Sequence, residues 1–418
     1  MIFVDIRGGL GNQLFQYATA RSLAIDKGSD FLMNLSDYES EDSKKVDHVE
    51  FKLNHFNIDF KKQIEADEIK NYPNVKTIVE PLSSDNFSPY FDFTKYSGNI
   101  YLRGYWQDER YFKHNEQIIK EDLEVATPPN KKNQKMLDEI SESNGICISF
   151  RRGEYLDSYF IAQFGICTED YYKNAINFIT RKVENPTFFI FSDDVDWIED
   201  NVKLNYPTIP ITFNGVGDEH EELRLMANCN HFILANSSFS WWGAWLSKNK
   251  NKLVFAPKPW FNSYTKESIL CANWIQLNCD RSDLFNKFDS KIYNLLTKRD
   301  VKYINYENIK LDIGNYGVSL KSEGNSKIDL NTNYFNQIEG NEFLIEFKLF
   351  SNKKGIIKVD YGWDRKITLG YRKGHSNKYL HLVNIRLCDV LLEIYDDSLV
   401  IEDITIKSIV SDFKLVIE

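Results

Sequence analysis

The stretch Ile146-Cys-Ile-Ser-Phe-Arg-Arg-Gly-Glu-Tyr-Leu156 decides how the chain folds. An apolar run with β-branched residues ends in Arg151, Arg152 and Gly153, which is typical of a buried strand that delivers two cations into the loop at its carboxyl end. Open α/β sheets bind ligands at that edge. Arginine stays charged and presents a planar fork of donors, so the pair favours a diphosphate over a neutral ligand. Taken alone, Arg-Arg-Gly is more often a solvated loop with two surface charges.

Strands and helices alternate around this central strand. Two prolines at Pro128 and Pro129 mark a domain boundary, and a lysine-rich helix is predicted over residues 131–143. Strands are predicted at residues 146–150, 188–191, 209–213, 231–234 and 253–256, and helices at residues 168–183, 218–229 and 239–247. This order predicts a doubly wound parallel sheet.

A second α/β unit starts at the N-terminus. A strand over residues 2–6, the turn Gly8-Gly9-Leu10-Gly11-Asn12-Gln13 and a helix over residues 13–27 form its first βα step. The glycines let the backbone approach a ligand, and the helix start offers N–H groups to an anion. The nicotinamide motif requires a third glycine where Leu14 stands, which disfavours an oxidoreductase. A tight turn without a ligand is the alternative. Two Rossmann-like units side by side place a cleft between them.

Two more predicted strands end in polar residues. Asp193 and Asp194 follow the strand at residues 188–191, and the alternative to a binding role is a helix N-cap, which needs only one carboxylate. Asn236, Ser237 and Ser238 follow the strand at residues 231–234, where hydroxyl and N–H groups at a helix start can cradle a phosphate. The tryptophans that follow are better explained by packing of this helix on the sheet.

The last third of the chain is built differently. All ten prolines lie at or before Pro259, and seven of the eight tryptophans lie at or before Trp274. Short alternating strands separated by Gly, Asn and Asp predict an antiparallel β-sandwich, with strands at residues 343–350, 355–361, 379–387, 390–395 and 399–407. A helix over residues 280–299 is expected to close the preceding unit. The predicted domains are residues 1–128, 129–298 and 299–418.

Composition limits the partners. With 51 basic and 61 acidic residues among 418, the net charge of −10 argues against a nucleic-acid partner but allows a local cationic pocket. No apolar run reaches the roughly 20 residues that span a bilayer, and the charged N-terminus does not resemble a signal peptide. The six cysteines have no Cys-x-x-Cys spacing, which predicts a reducing cytoplasmic location and no structural zinc. Peripheral membrane association and homo-oligomerisation stay open.

Four motifs together resemble the α-1,2-fucosyltransferases of glycosyltransferase family eleven. They are Gly-Gly-Leu-Gly-Asn-Gln-Leu-Phe-Gln-Tyr-Ala at residues 8–18, the Arg-Arg-Gly-acid-Tyr loop at 151–155, Phe-Ser-Asp-Asp at 191–194 and Asn-Ser-Ser-Phe-Ser-Trp-Trp-Gly-Ala-Trp-Leu at 236–246. The resemblance covers about residues 1–295. It implies a GT-B fold, GDP-fucose as the donor substrate, inversion at the sugar carbon, a galactoside-type glycan acceptor held by the N-terminal domain, and no cofactor or metal.

The resemblance also implies roles for single residues. Gly9, Gly11 and Asn12 would lie near the nucleotide and the reacting sugar. Arg151 would bind the pyrophosphate and Asp193 would lie near the nucleoside. The phosphate would be met by Asn236, Ser237 and Ser238.

The chain departs from the family motif His-x-Arg-Arg-x-Asp at two positions. Ser149 replaces the histidine, which puts the donor base or sugar in question, and Glu154 replaces the aspartate. An inverting transfer needs a base for the acceptor hydroxyl. We predict Glu154 in that role, with Arg151 stabilising the leaving group and Asn12 placing an oxygen atom across the cleft.

Alternatives stay open for the base, for the partner of Arg152, for the function and for the role of the β-sandwich. The base could instead be Asp193 or Asp194, and Arg152 could pair with Asp193. Another donor sugar, or a non-catalytic sugar-binding protein on the same scaffold, is the alternative function. The β-sandwich is expected to be separable from donor binding and to bind sugar, assemble or anchor the protein. Its candidate aromatic residues are Tyr361, Trp363 and Tyr371.

Overall fold

The structure is a computed structural model. It describes residues 1–39, 50–59, 62–80, 90–153, 155, 164–261, 269–279, 292–294, 305–313, 318–329, 342–360, 366–371, 373–383, 391–395, 398–408 and 415–417.

The N-terminal unit contains a four-stranded parallel sheet with the order β2-β1-β4-β3. Its strands are β1 (Ile2–Asp5), β2 (Phe31–Asn34), β3 (Lys76–Val79) and β4 (Ile100–Arg103). Helix α1 (Leu10–Asp26) follows β1 and is mostly buried, and the shorter helices are α2 (Ala66–Ile69) and α3 (Glu116–Asp122). The 3-10 helices are Ser36–Glu39, Leu53–His55, Phe93–Lys95, Glu109–Tyr111 and Lys113–Asn115. The predicted βα start is confirmed, although the helix begins three residues earlier than expected.

The middle unit contains a six-stranded parallel sheet with the order β11-β10-β9-β5-β6-β8. Its strands are β5 (Asn144–Phe150), β6 (Pro186–Ser192), β8 (Thr208–Pro210), β9 (His231–Ile233), β10 (Val254–Lys258) and β11 (Ile275–Asn278), while β7 (Val202–Leu204) lies outside this sheet. Its helices are α4 (Lys131–Ser141), α5 (Glu169–Ile179), α6 (Val195–Asn201), α7 (Glu219–Asn228) and α8 (Ser238–Leu246). The predicted alternation is confirmed.

The central strand β5 explains why the sequence showed an unbroken apolar run. Its residues from Gly145 onward are buried because layers cover both faces of the sheet. Cys147 packs in one core cluster, while Ile146 and Ile148 pack in another. Alternate side chains of β5 therefore contribute to different cores.

The two α/β units share one hydrophobic core. The ring of Phe15 on α1 lies 4.5 Å from that of Trp241 and 4.9 Å from that of Trp242, both on α8. Trp242 Nε1 donates to the carbonyl oxygen of Gly11 at 3.0 Å. Since Trp241 and Trp242 have no exposed surface, the predicted packing role of these tryptophans is confirmed.

The C-terminal region is β-rich, as predicted, and its strands pair antiparallel in one nine-stranded sheet. The strands are β12 (Ile292–Asn294), β13 (Asn305–Ile313), β14 (Val318–Asp329), β15 (Glu342–Ser351), β16 (Gly355–Asp360), β17 (Lys366–Tyr371), β18 (Gly374–Val383), β19 (Leu391–Ile394) and β20 (Val400–Ser408). Strand β14 pairs first with β20 and then with β19, and Gly324 lies between the two segments with φ +112°. β14 therefore joins the part of the sheet that contains β19, β16 and β17 to the part that contains β20, β15 and β18.

Two sequence predictions for this region are wrong. Strand β12 falls within residues 280–299, where a helix was expected, and it pairs with Thr405 to Lys407 of β20. Pairing with a strand far away in the chain overrides local helix preference here. The rest of residues 280–299 lies outside the described residues. Tyr371 is only 2% exposed and is therefore no sugar-stacking residue, while Tyr361 and Trp363 lie outside the described residues.

The final strand leaves the C-terminal sheet. β21 (Leu415–Ile417) pairs in parallel with β7 of the middle unit, and Leu415 has no exposed surface. The C-terminal region therefore contacts the middle unit through β21. Whether residues 1–298 alone keep donor binding stays a prediction.

Among the described residues, no helix has the length and apolar character needed to cross a membrane.

Candidate functional site

The arginine loop meets the next strand end at the carboxyl edge of the middle sheet. Strands β5 and β6 run in parallel with Phe150 beside Ser192, so the residues that follow them are neighbours. Arg151 Nη1 lies 2.7 Å from Asp193 Oδ2, and the backbone N–H of Arg152 donates to Asp193 Oδ1 at 2.8 Å. Asp193 therefore holds the loop through both a side chain and a backbone group.

Gly153 is required by this close approach. A Cβ atom at Gly153 would lie 2.6 Å from Asp193 Oδ2. With any larger residue at position 153, either the Asp193 side chain or the loop would have to shift.

The two arginines have different environments. The guanidinium of Arg152 lies 3.9 Å from the centroid of the Trp197 ring, and its Nε lies 3.5 Å from Asp194 Oδ2. Its side chain is 14% exposed, compared with 28% for Arg151. Asp193 thus pairs with the side chain of Arg151, while the side chain of Arg152 lies beside the Asp194 carboxylate. The expectation that Arg152 pairs with a carboxylate at this strand end is met by Asp194 rather than by Asp193. Arg151 is the arginine that reaches solvent more.

Asn236, which follows strand β9, has mainly a structural role. The buried Asn236 amide donates to three backbone carbonyl oxygens, those of Phe164 at 2.8 Å, Gly165 at 3.0 Å and Trp260 at 3.1 Å. The backbone carbonyl oxygen of Asn236 accepts a hydrogen bond from the Tyr155 hydroxyl at 3.2 Å. Asn236 therefore connects the arginine loop to the start of α8.

The two serines that follow face the helix start. Ser237 is the N-cap of α8 and its hydroxyl accepts from Phe239 N at 3.3 Å. The Ser238 hydroxyl donates to Asn12 Oδ1 at 3.2 Å, which joins the two α/β units. The helix start and Asn12 therefore meet in space, as the predicted site requires.

Ser149, which replaces the family histidine, is buried and has a structural partner. Its hydroxyl accepts a hydrogen bond from Ala235 N at 2.8 Å, and its carbonyl oxygen accepts from the Tyr172 hydroxyl at 2.9 Å. The serine thus ties β5 to the segment that precedes α8.

Two glycines of the glycine-rich turn, Gly9 and Gly11, have different surroundings. Gly9 is the N-cap of α1 with no side-chain cap, and a Cβ atom there would meet nothing within 4 Å. A Cβ atom at Gly11 would lie 2.6 Å from Phe239 N and 2.7 Å from Ser238 Oγ. Gly9 therefore leaves space for a ligand, whereas Gly11 permits α1 to touch the start of α8. Asn12 Oδ1 also accepts from Gln107 Nε2 at 2.8 Å.

Replacing Gly11 by alanine is expected to destabilise the protein by about 3 kcal/mol, because the methyl group would overlap backbone atoms that cannot rotate away. Thermal or chemical unfolding measures this change. The matched control is Gly9→Ala on the same turn, which should cost less than about 1 kcal/mol. Equal stability of the two variants would contradict the close helix contact.

Glu222 on α7 is a carboxyl group that the sequence did not single out. Burial raises its pKa to about 8, with further contributions from the charges of Glu219, Asp193 and Asp218, while Arg151 opposes the shift. The carboxyl group of Glu222 thus interacts electrostatically with the Arg151–Asp193 pair. The sequence signal was weak because Glu222 stands in an acid-rich helix start that looks like ordinary surface.

A second polar group of residues lies at the carboxyl edge of the N-terminal sheet. The Arg7 guanidinium lies 4.9 Å from the centroid of the Tyr105 ring, which is 38% exposed. Among the described residues, Arg7 Nε has no hydrogen-bond partner although it is buried. The Tyr38 hydroxyl donates to the Gly8 carbonyl oxygen at 3.0 Å beside the open start of α1. An aromatic surface and hydrogen-bond donors therefore flank the glycine turn.

Comparison with known proteins identifies the family. The model of glycosyl transferase family 11 matches residues 1–278. The chain belongs to glycosyl transferase family 11. The alpha-1,2-colitosyltransferase of Escherichia coli is 30% identical over 275 residues, which are 62% of this chain and 92% of that protein.

Two further family 11 relatives extend this comparison. The O-antigen biosynthesis glycosyltransferase WbnK of Escherichia coli is 30% identical over 301 residues, which are 65% of this chain and 99% of that protein. Human galactoside alpha-(1,2)-fucosyltransferase 1 is 23% identical over 146 residues, which are 33% of this chain and 40% of that protein.

The structure brings several of the residues predicted for family 11 into direct contact. Arg151 contacts Asp193, and Asn12 contacts Ser238. Gly11 packs against α8. Glu154 lies outside the described residues, so its role stays a prediction. Within the described part of the chain, no group of three or more His, Cys, Asp or Glu side chains is placed to hold a metal.

Proposed function

We propose that this family 11 enzyme transfers L-fucose from GDP-fucose to a galactoside-type hydroxyl of a glycan. The product would carry an α-1,2 linkage, and the reaction would invert the sugar carbon. The observation that carries the proposal is Arg151, held 2.7 Å from Asp193 at a strand end of a family 11 chain. The two parallel sheets support a GT-B arrangement, with the donor on residues 129–298 and the acceptor on residues 1–128.

The reaction is a single displacement. The acceptor oxygen attacks the sugar carbon, the bond from that carbon to the β-phosphate oxygen breaks, and the hydroxyl proton passes to a carboxylate. Negative charge then grows on the departing GDP. Arg151 and the N–H groups at the start of α8 would stabilise that charge, a role that takes the place of a metal.

Asp193 and Asp194 are less suited to be the proton acceptor. Asp193 already binds Arg151 and the backbone of Arg152, and Asp194 caps α6 by accepting from Trp197 N at 3.2 Å. Both carboxylates therefore have structural partners. Glu154 remains our proposed base, and Asn12, which contacts the start of α8, would orient a reacting oxygen.

A GDP-colitose donor is the alternative to GDP-fucose, and one of the relatives favours it. One relative is an alpha-1,2-colitosyltransferase. Colitose is fucose without the hydroxyl group at carbon 3, so both donors would present an L-sugar deoxygenated at carbon 6 to the same pyrophosphate site. A non-catalytic sugar-binding protein is less favoured, since Ser149 has a structural partner rather than marking a lost group.

Glu222 supports guanine as the donor base. Guanine presents two neighbouring N–H groups that one carboxylate can accept together, whereas uracil and thymine present a single N–H between two carbonyl groups. The charges of Arg151 and Asp193 contribute to the pKa shift of Glu222, so its carboxyl group lies within electrostatic range of the pair that we assign to the pyrophosphate site. We propose that Glu222 binds guanine in its ionised form.

GDP affinity should therefore rise with pH. The pKa of Glu222 is about 8 in the free protein, and bound guanine would lower it by stabilising the carboxylate. Below pH 8 binding must release a proton, so the affinity should increase by about tenfold between pH 6.5 and 8.5 and then level off. Calorimetric titration with GDP over this range measures the change.

Glu222→Gln is the control for this pH dependence. Its GDP affinity should match that of the wild type near pH 6.5 and should rise with pH no more than its UDP affinity does. UDP, whose terminal phosphate also titrates but which has no guanine, should show the same pH dependence in both proteins. An unchanged pH profile in Glu222→Gln would remove Glu222 from the guanine site.

The acceptor would bind beside the open start of α1. The exposed Tyr105 ring can stack on a sugar ring, and the Arg7 guanidinium can donate to its hydroxyl groups. Gly9 leaves room for that approach. These residues belong to the N-terminal unit, whereas Arg151 belongs to the middle unit.

Donor choice is tested by thermal shift against GDP-fucose, GDP-colitose, GDP-mannose and the UDP and dTDP sugars, because a ligand that binds the native state raises its stability. GDP release with and without lactose then tests transfer. Stabilisation by GDP-fucose and lactose-dependent GDP release are expected. Stabilisation by a UDP sugar alone would overturn the donor assignment.

A further inference from the structure

The C-terminal strand β21 belongs structurally to the middle α/β unit. Its three residues pair in parallel with Val202, Lys203 and Leu204 of β7. Within the described residues, these two strands form a sheet of their own, and Leu415 lies fully buried in the core that contains Ile176. The last residues of the chain therefore complete the packing of the unit to which the arginine loop belongs.

Strand β7 directly continues helix α6, and α6 holds Arg152. Trp197 presents its ring 3.9 Å from the Arg152 guanidinium, and Asp194, the N-cap of α6, lies 3.5 Å from Arg152 Nε. The helix has only seven residues and is anchored by the buried Ile198. A helix this short depends on its neighbours for its position.

We propose that β21 positions the arginine loop from outside the family region. By pairing with β7 it would fix α6, and α6 would fix Arg152 through Trp197 and Asp194. Arg152 precedes Gly153 and follows Arg151 in the loop that we assign to the pyrophosphate. The inference therefore rests on the proposed function and adds the C-terminal strand to donor binding as a positioning element.

The strand lies outside the matched family region. The family match ends at residue 278. The two Escherichia coli relatives match over 92% and 99% of their own length, which leaves little length for a counterpart of the C-terminal region. Control of the arginine loop by a C-terminal strand would thus be specific to chains with this extension.

The test uses the full chain with Leu415→Asp, which places a charge in the core under β7. We expect the dissociation constant of GDP to rise about tenfold at a temperature where circular dichroism shows the variant folded. Trp197→Leu should give a similar rise. Because both changes act through α6, the dissociation constant of GDP in the double variant should also rise about tenfold, rather than about a hundredfold as for two independent changes.

The control separates positioning from general stability. Leu415→Ile, which keeps the buried contact, should leave GDP affinity unchanged. A Leu415→Asp protein with a lower melting temperature but normal GDP affinity would overturn the proposal, as would additive effects in the double variant. Where Leu415→Asp does not fold, Leu415→Ala takes its place.

A second measurement does not depend on nucleotide. In the free protein, hydrogen exchange at residues 195–204 should be faster in Leu415→Asp than in Leu415→Ile. If the wild type binds no GDP, the proposed function fails, and this exchange still reports whether β21 holds α6. Equal exchange in the two variants would show that it does not.

Discussion

Replacing Arg151 by alanine should reduce kcat/KM for transfer by about a thousandfold while the protein stays folded. Removing one preorganised donor to a developing charge typically costs about a hundred- to a thousandfold, and Arg151 also carries a full positive charge. Its partner Asp193 would still accept from Arg152 N at 2.8 Å, so the loop keeps one of its contacts. Steady-state GDP release with lactose as the acceptor measures the loss.

Arg21→Ala is the matched control. Arg21 also pairs with a carboxylate at 2.7 Å, that of Asp122, and its side chain is 32% exposed compared with 28% for Arg151. Loss of an ion pair by itself should cost little activity, so Arg21→Ala should transfer nearly as fast as the wild type. Near-normal turnover of folded Arg151→Ala would refute the pyrophosphate assignment.

The α/β core could be predicted because its signal is local. The run that forms β5 is apolar at every position because the strand is covered on both faces, and that pattern is visible in one sequence. The short strands β7 and β11 were missed, since their place depends on partners far away in the chain. The helix expected over residues 280–299 failed at β12 for the same reason, because β20 supplies its pairing.

Contacts in the site could be predicted where the polar side chains come directly after a strand. Arg151 and Asp193 follow neighbouring parallel strands, so their contact could be expected from topology. Glu222 could not, because its raised pKa arises from burial and from charges on other elements. The close approach of Gly11 to the backbone of Phe239 could not be predicted either, because it depends on how α1 packs against α8. A place for Gly11 near the nucleotide stays a prediction.

The hydrogen-bond pattern narrows the choice of the base. Asp193 is held by two arginine groups, and Asp194 caps α6. Glu222 has a pKa of about 8 and would be largely protonated at neutral pH before the donor binds. Glu154 lies outside the described residues and stays our proposed base on its place in the sequence, three residues beyond Arg151.

Glu154→Gln should therefore lower kcat by about a hundredfold while the GDP dissociation constant changes little, since the amide keeps the shape of the side chain but cannot take the proton. Asp194→Asn is the matched control. Asparagine caps a helix as well as aspartate does, so α6 should persist and turnover should fall far less. Single-turnover transfer with saturating donor distinguishes the two variants. An inactive Asp194→Asn beside an active Glu154→Gln would move the base to the end of β6, where the acceptor proton would pass to the carboxylate that also contacts Arg152.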